Sequence, residues 1–582
     1  MSNTAAPLTR RRFLAALAAT ATAACGLPGI VSTPGTSQGE ATRRAAQPLT
    51  IGVEGEPRAL VASVAGGAGT AAEHLFELVH QSLVAYDDQA TPTPRVAREL
   101  PSLDAGTWRI HDDGTMETVW RLREDARWHD GRPFTADDVV FSWRVFNDPA
   151  VPVTTRRVAR LVSSVETRDA HTVVMRWRSR YAFADQISGY DLTLLPAHLL
   201  EGDYDFRREQ FAGHPYWRTD FVGLGPFRLR RWVPGSTVEL EAFPDYFLGR
   251  PKVDEISVRF LPDDTTAMAA VLGGTVDMLL PRRAVLGIMR TVRDRWRDSR
   301  AGSLSLIPGH SWVYLAPQFQ GAQATDLGDA RVRRAMLHAI DREGLAEALV
   351  GDRALAADFW LPASDPRYQE LAGATERIEY DPNRSRDLFR EAGWRRESAD
   401  DVLVRQGRRF EVELTSTAGW EGAASLIAQY WRQAGIVVHE NVLVLGAITD
   451  RQARASYSGV ELASGPPGLS LLDARLHSTS EPFSENQWVG GNRGHYQNPE
   501  LDALIDRTWM TLDRGRRQEL EREMARFLAT ELPVLGLVFF PAMAMVGAAV
   551  QNVRPPRALA EAGRLSMAWN AHEWEKQPRP RG

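Results

Sequence analysis

Apolar and polar positions along this chain follow two periods. Leu49-Thr50-Ile51-Gly52-Val53 is a short apolar, β-branched run and predicts a strand, and Thr118–Arg123 alternates and predicts another. Over Ala71–Val84 the apolar residues Leu75, Leu78, Val79 and Leu83 recur at helical spacing, which predicts a helix. Trp128–Pro133 has the Asp-Gly and Pro content of a turn. Thr135 follows as an N-cap, with Asp138 in the capping-box position and Val139, Val140 and Trp143 on one face. Helices open at Asp341 and at Asp381-Pro382 and close at Gly351 and Gly393; another opens at Asn498-Pro499 with Leu501, Leu504 and Ile505 as its buried face. A charged helix over Arg516–Thr530 stops at Pro533, and the strand-like runs Val534–Phe540 and His310–Leu315 complete the pattern. Mixed strands and helices with no fixed repeat indicate an α/β body.

The chain has 582 residues, which corresponds to roughly three or four domains at about 150 residues each. With 43% apolar and 25% charged residues the composition is that of a globular protein, neither disordered nor fibrous. A net charge of −5 and a pI near 6.3 lack the basic footprint of a nucleic-acid binder. Only Lys252 and Lys576 of the 69 basic residues are lysines. So general a use of arginine reflects coding composition rather than a site, and arginines carry no weight in the site reading below.

The first residues read as an export signal. Arg10, Arg11 and Arg12 precede Phe13-Leu14 and the weakly apolar Ala15–Ala24, then Cys25 and Gly26. Phe13–Ala24 is about 18 Å as a helix, too short for a hydrocarbon core of about 30 Å. Arg10 and Arg11 followed by x-Phe-Leu resemble the twin-arginine export motif. Cys25 is the only cysteine, so no intramolecular disulfide can form. Its setting after Thr22-Ala23-Ala24 resembles a bacterial lipobox, with Thr22 where Leu is usual; the alternative is a small residue in a signal cleaved elsewhere. Leu27–Ala46 is rich in Gly, Pro, Ser and Thr and reads as a flexible tether.

Catalytic motifs are scarce. Gly35-Thr36-Ser37-Gln38-Gly39 has nucleophile-elbow spacing but lies in the tether, without the strand and helix that motif needs. There is no phosphate-binding loop, His-Glu-x-x-His pair, paired-Cys site or glycine fingerprint after a strand. His129-Asp130-Gly131 lacks further metal ligands at suitable spacing and reads as a turn. A carbohydrate-active or other hydrolytic enzyme using two carboxylates needs no motif and stays as the alternative class.

One set of ordered blocks resembles a known family. Trp120–Arg123 through Trp128-His129-Asp130-Gly131-Arg132-Pro133-Phe134-Thr135-Ala136-Asp137-Asp138-Val139 is similar to the signature of the family 5 extracytoplasmic solute-binding proteins, the oligopeptide, dipeptide and nickel receptors of ABC importers. Gly223–Phe227, Pro244–Phe247, Val271–Asp277, Asp329–Arg342, Tyr380–Gly393 and Gly491–Asp502 continue the resemblance in the family's order. It implies a two-lobed periplasmic-binding-protein-like α/β fold with an extra domain inserted in lobe I. The expected divisions are export signal 1–24, lipidated Cys25 and tether 25–46, lobe I 47–88, inserted domain 89–185, lobe I again 186–307, lobe II 308–534, and lobe I with the C-terminal tail 535–582.

The resemblance further implies a monomeric receptor, lipid-anchored outside the cytoplasmic membrane. It would pass a peptide-like or other polar solute to an ABC permease and, through it, to ATPase subunits, with no cofactor, metal or nucleic acid. A sensory role without transport is the in-class alternative. A solute cleft is built from aromatic faces and a few polar groups. The candidates are Trp312 and Tyr314 near the hinge, and Trp420, Phe483, Trp488 and Asn492 in lobe II. Peptide receptors of this family resemble one another in a Gly-Trp-x-x-Asp segment whose Asp meets the peptide ammonium. The corresponding Val460–Gly468 stretch has no Asp or Trp; it offers Ser464 near the Asp position and Glu461 as a substitute.

Overall fold

The computed structural model describes residues 47–582 apart from 62–74, 154–156, 284, 298–299, 322, 397–400, 445–449, 487, 559–565 and 579–582. Arg10, Arg11, Cys25 and the tether lie outside the described residues. Gln47–Gly582 forms one compact unit.

A ten-stranded mixed sheet runs through this unit. In chain order its strands are β1 (Leu49–Glu54), β2 (Phe227–Val233), β3 (Thr237–Ala242), β4 (Glu255–Leu261), β5 (Met278–Arg283), β6 (Gly302–Pro317), β7 (Glu411–Thr417), β8 (Val437–Leu443), β9 (Val460–Gly465) and β10 (Leu535–Gly547). Their spatial order is β8-β7-β9-β6-β10-β5-β1-β4-β3-β2. β1 lies between β4 and β5, parallel to both, and five of its six residues are buried, as a strand covered on both faces requires.

The sheet has two halves joined by β6 and β10. Gly302–Ile307 of β6 pairs with Ala542–Gly547 of β10, which also pairs with β5. Trp312–Pro317 of β6 pairs with β9, and Ser311–Leu315 with Leu535–Phe540 of β10. Between these stretches the β6–β10 register shifts from Ile307↔Ala542 to Ser311↔Phe540, and Gly309 there takes φ +59°. That conformation is easy only for glycine. One face of β10 changes cluster at the same place, while Trp312, Tyr314, Phe539, Ala544 and Val546 belong to a single larger cluster on both sides of it. Leu535, Leu537, Val538 and Phe540 join the cluster under the β7–β9 half, whereas Met543 and Met545 join a cluster on the β5 half. A separate antiparallel sheet is formed by Trp108–Ile110, Met116–Arg121, Val162–Asp169 and Thr172–Trp177.

The helices form where capping residues and apolar periodicity coincide. They include α1 (Ala136–Asn147), α2 (Arg342–Val350), α3 (Pro382–Glu391), α4 (Glu421–Gln433), α5 (Leu469–Leu476), α6 (Pro499–Met510) and α7 (Arg514–Glu531). Asp341, Asp381 and Asn498 each cap a helix through the side chain. The Asp138 carboxylate accepts from the Thr135 N–H, from Trp128 Nε1 and from the Ala197 N–H, so one residue ties the turn, α1 and a distant segment together.

The helix expected over Ala71–Val84 is shorter than its periodicity suggests. The described part is helical only over residues 75–79, and Val84–Tyr86 is a strand. The cause is tertiary. His80 is held by Leu194 O and by the Leu224 N–H, and Gly223 and Gly225 press their backbone onto Val79 and His80. His129 pins the same loop, contacting Gly225 O and accepting from the Gly223 N–H.

The two lysines fasten the C-terminal segment. Lys576 Nζ meets Asp277 Oδ2 at 2.7 Å and Pro48 O at 2.7 Å, while Asp277 also accepts from the Thr50 N–H of β1. Lys252 pairs with Glu575 at 2.6 Å.

The Gly223–Gly225 loop can be tested in two ways. A Cβ on Gly225 would sit 2.3 Å from Val79 C and 2.4 Å from His80 N, both backbone atoms. Gly225→Ala should therefore lose about 1–3 kcal/mol in urea unfolding. Burial lowers the pKa of His80 to about 3 and of His129 to about 4, so the unfolded chain binds protons that the folded one refuses. The resulting stability is complete above the ordinary histidine value and drains as pH falls toward the folded values. The urea midpoint should drop between about pH 7 and pH 5, with a shallower slope in His129→Gln.

Candidate functional site

Strand alternation decides which side chains meet. On β6, Trp312, Tyr314 and Ala316 face one side, and Val313 and Leu315 join the core on the other. In the β6–β9 register Ala316 lies opposite Glu461, Tyr314 opposite Ala463 and Trp312 opposite Gly465. Glu461 therefore shares the face of Trp312 and Tyr314. Ser464 lies opposite Val313 and belongs to the other face, so the two candidates from the Val460–Gly468 stretch point apart.

Glu461 is buried, its side chain 3% exposed, and it is enclosed by arginines. Arg493 makes a bidentate pair with both carboxylate oxygens at 2.8–3.2 Å, and Arg454 Nη2 meets Oε1 at 2.7 Å. Burial opposes the charge on Glu461, but Arg493, Arg454 and Arg475 together hold its pKa below the usual carboxylate range. Arg475, on α5, donates from Nη1 to Gly491 O at 3.2 Å and has no carboxylate partner among the described residues. Burial lowers its pKa and raises that of Tyr314, whose hydroxyl has no hydrogen-bond partner among the described residues. Trp312 stacks at a tilt on Tyr314, centroids 4.8 Å apart, and its Nε1 is likewise unpartnered.

Tyr314, Glu461, Arg475, Asn492 and Arg493 line one small cavity of about 10 Å³, completed by Phe319, Tyr496 and Pro533-Val534. Asn492 is fully buried and spent on its own loop: its Nδ2 donates to Tyr496 O at 2.7 Å and to His477 O at 3.3 Å, and its Oδ1 accepts from the Tyr496 N–H. The flanking glycines hold that loop close, since a Cβ on Gly491 would lie 2.3 Å from Ala474 O and one on Gly494 2.6 Å from Pro317 O.

The other candidates stand elsewhere. Trp420 precedes α4, with its ring under the Arg283 guanidinium at 4.7 Å and edge-on to Phe540 at 5.1 Å, so it bridges β5 of one half-sheet to β10 where the halves cross. Phe483 is 46% exposed, and Trp488, at φ +58°, donates its N–H to Phe483 O. Both belong to a surface loop and neither lines the cavity. Sequence reasoning misses Arg454, Arg475 and Arg493, because arginine is common throughout. The usable signal is local: Arg493 lies in Gly491-Asn492-Arg493-Gly494, where flanking glycines permit close backbone approach.

A larger cavity of about 460 Å³ is lined only by residues of the 343–377 stretch. Its charges are matched: Glu343 pairs with Arg353 and Arg377, and Asp358 with Arg377 and Tyr368 Oη. A ligand there would have to break pairs already made. Among the described residues no three His, Cys, Asp or Glu side chains come together to hold a metal.

The helix bearing Arg475 is held by the segment that leads into the separate antiparallel sheet. Asp473 of α5 ion-pairs with Arg157, whose guanidinium lies 4.3 Å over the Trp509 ring. Ala182 donates its N–H to Trp509 O, and Tyr181 and Phe183 lie against the same indole.

The model of the bacterial extracellular solute-binding proteins, family 5, matches residues 99–465. The chain belongs to this family. A Brucella ovis protein described as a putative ABC transporter peptide-binding protein is 32% identical over 272 residues, 46% of this chain and 48% of that protein. The chain thus spans about half the length of this relative. The oligopeptide-binding protein AppA of Bacillus subtilis is 23% identical over 438 residues, covering 73% of this chain and 76% of its own. The oligopeptide-binding protein of Thermus thermophilus, solved with a pentapeptide, superposes with a TM-score of 0.74 at 25% identity, covering 91% of this chain and 96% of its own. The family 5 chain accordingly has the two-lobed periplasmic-binding-protein fold that its sequence blocks imply.

Removing the one carboxylate of the cluster should be costly. Glu461→Gln leaves guanidiniums without their counter-charge, and urea unfolding should show a loss of about 3–5 kcal/mol.

Proposed function

We propose that this family 5 protein is an extracytoplasmic receptor that captures a peptide-like or other polar solute between two lobes and delivers it to an ABC permease driven by separate ATPase subunits. The observation that carries this reading is the β6–β10 crossing: two strands join the half-sheets, and their register breaks at Gly309. A pair of crossing strands can absorb the rotation of a hinge closure. The lobe limits that suit this crossing are 186–307 and 308–534, with lobe I resumed at 535 and the inserted domain over 89–185. Closure is driven by the solute's greater affinity for the closed state. The protein acts as a monomer without a cofactor and turns over no substrate.

Full-length protein given a solute extracted from its native source should shrink in radius of gyration by small-angle scattering and change its tryptophan fluorescence. A chemically altered product in stoichiometric excess would overturn the reading.

The receptor is tethered through a lipid on Cys25 after export directed by Arg10 and Arg11. Cys25→Ala should leave the protein in the soluble fraction, since an acyl chain contributes about 0.8 kcal/mol per buried CH₂. Retention of that variant on membranes after a high-salt wash would exclude this anchor.

The names of the relatives favour a peptide, but the site disfavours a free α-ammonium, because Glu461 is already engaged by Arg454 and Arg493. Calorimetry with di- to pentapeptides should show weak binding or none. Micromolar binding that disappears on N-acetylation would contradict this.

A further inference from the structure

Around Glu461 the charges do not balance. Three guanidiniums, Arg454, Arg475 and Arg493, surround one carboxylate, leaving an excess of two positive charges. Some buried guanidiniums of this arginine-rich chain meet carboxylates, as Arg367 meets Asp365 and Glu521, or are spent on several carbonyls, as Arg333 is on Leu327, Glu531 and Leu532. Arg475 has neither arrangement; among the described residues its hydrogen bond is to Gly491 O alone. Beside it, the Tyr314 hydroxyl, in a side chain 1% exposed, lines the same cavity as a donor with no acceptor, and Arg454 Nε is also unpartnered. Tyr314, Arg475 and Arg493 thus put donors on the wall of one cavity, with positive charge in excess, and an oxyanion requires such donors.

We propose that this cluster is an anion subsite, seating a carboxylate or phosphoryl group of the solute on Arg475, Arg493 and the Tyr314 hydroxyl. The proposal rests on the receptor reading above and gives that receptor's solute its charge. Glu461 has a positioning role here: it fixes the Arg493 fork and the Arg454 side chain, and so sets the direction of their remaining donors. One further negative charge leaves the cluster at plus one, and a dianion neutralises it. The cavity of about 10 Å³ has room for about one water, so seating the anion requires the cavity to widen around Arg475 and Tyr314.

The test uses the full-length chain, stripped of bound solute by denaturation and refolding, with four small probes in calorimetry: succinate, inorganic phosphate, the neutral succinamide and the cationic 1,4-diaminobutane. Succinate or phosphate should bind saturably and more weakly as salt rises, and the two neutral or cationic probes should not. Preference for succinate assigns a carboxylate-bearing solute, and preference for phosphate a phosphoryl one. Arg475→Met, which gives up only one carbonyl bond, should weaken the anion about tenfold or more with an unchanged circular dichroism spectrum. Tyr314→Phe should weaken it less.

No saturable binding of either anion, equal or tighter binding of diaminobutane or succinamide, or affinity unchanged in Arg475→Met overturns the subsite. The receptor reading is judged separately, by native mass spectrometry of the protein as purified. A released neutral or cationic solute keeps the receptor and excludes the anion subsite. Absence of any solute, together with absence of closure in scattering, excludes the receptor itself.

Discussion

Two strands carry the connection between the halves of the ten-stranded sheet, and their hydrogen-bond ladder is interrupted where they cross. Everything on the β7–β9 side hangs from the Trp312–Pro317 stretch of β6 and the Leu535–Phe540 stretch of β10; everything on the β5–β1–β4 side hangs from the other ends of the same strands. Each half has an apolar cluster of its own against those strands, and a third, larger cluster that includes Trp312, Tyr314, Phe539, Ala544 and Val546 runs across both halves. Arg283 of β5, stacked over Trp420 ahead of α4, reaches across the junction, and Arg157, next to the separate antiparallel sheet, pairs with Asp473 of α5.

That geometry explains why charge accumulates beside Tyr314. The face of β6 carrying Trp312, Tyr314 and Ala316 continues onto β9 as Gly465, Ala463 and Glu461; Leu471 packs onto Gly465, and a small cavity lies beside Tyr314, Ala316 and Glu461. A loop drawn tight by glycines and a short helix each bring an arginine into this space, while Glu461 holds two of the three guanidiniums. A buried carboxylate there could serve an ammonium only if it were free. Pairing it with two guanidiniums reverses the sign of the local field.

Much of the fold is legible in the sequence because the relevant signals are local. Asp341, Asp381 and Asn498 cap helices with their side chains, β1 has the continuous apolar character of a doubly covered strand, and the crossing strands show as apolar runs. The helix through Val84 is not, because its end is set by His80 bonds to residues more than a hundred positions away, which no local period encodes. The site is harder for the same reason. Glu461 stands out as an odd acid in an apolar strand, but its partners come from three separate segments. Ser464 follows from counting along the chain, and a count off by one residue in a strand changes the face. Aromatic character draws attention to Phe483 and Trp488, which belong to a surface loop, whereas arginine, common everywhere in the chain, conceals the residues that converge.

The scarcity of lysine has a practical consequence. Both lysines lie on the strap that joins the C-terminal segment to β1 and to the Lys252 turn, and only Lys252, 52% exposed against 13% for Lys576, offers its amine freely to solvent. Apart from the chain's α-amino group, an amine-directed reagent would therefore modify this protein at essentially one place, on the half-sheet that does not carry Glu461. Molecules immobilised by that chemistry would share one orientation, with the arginine cluster unmodified.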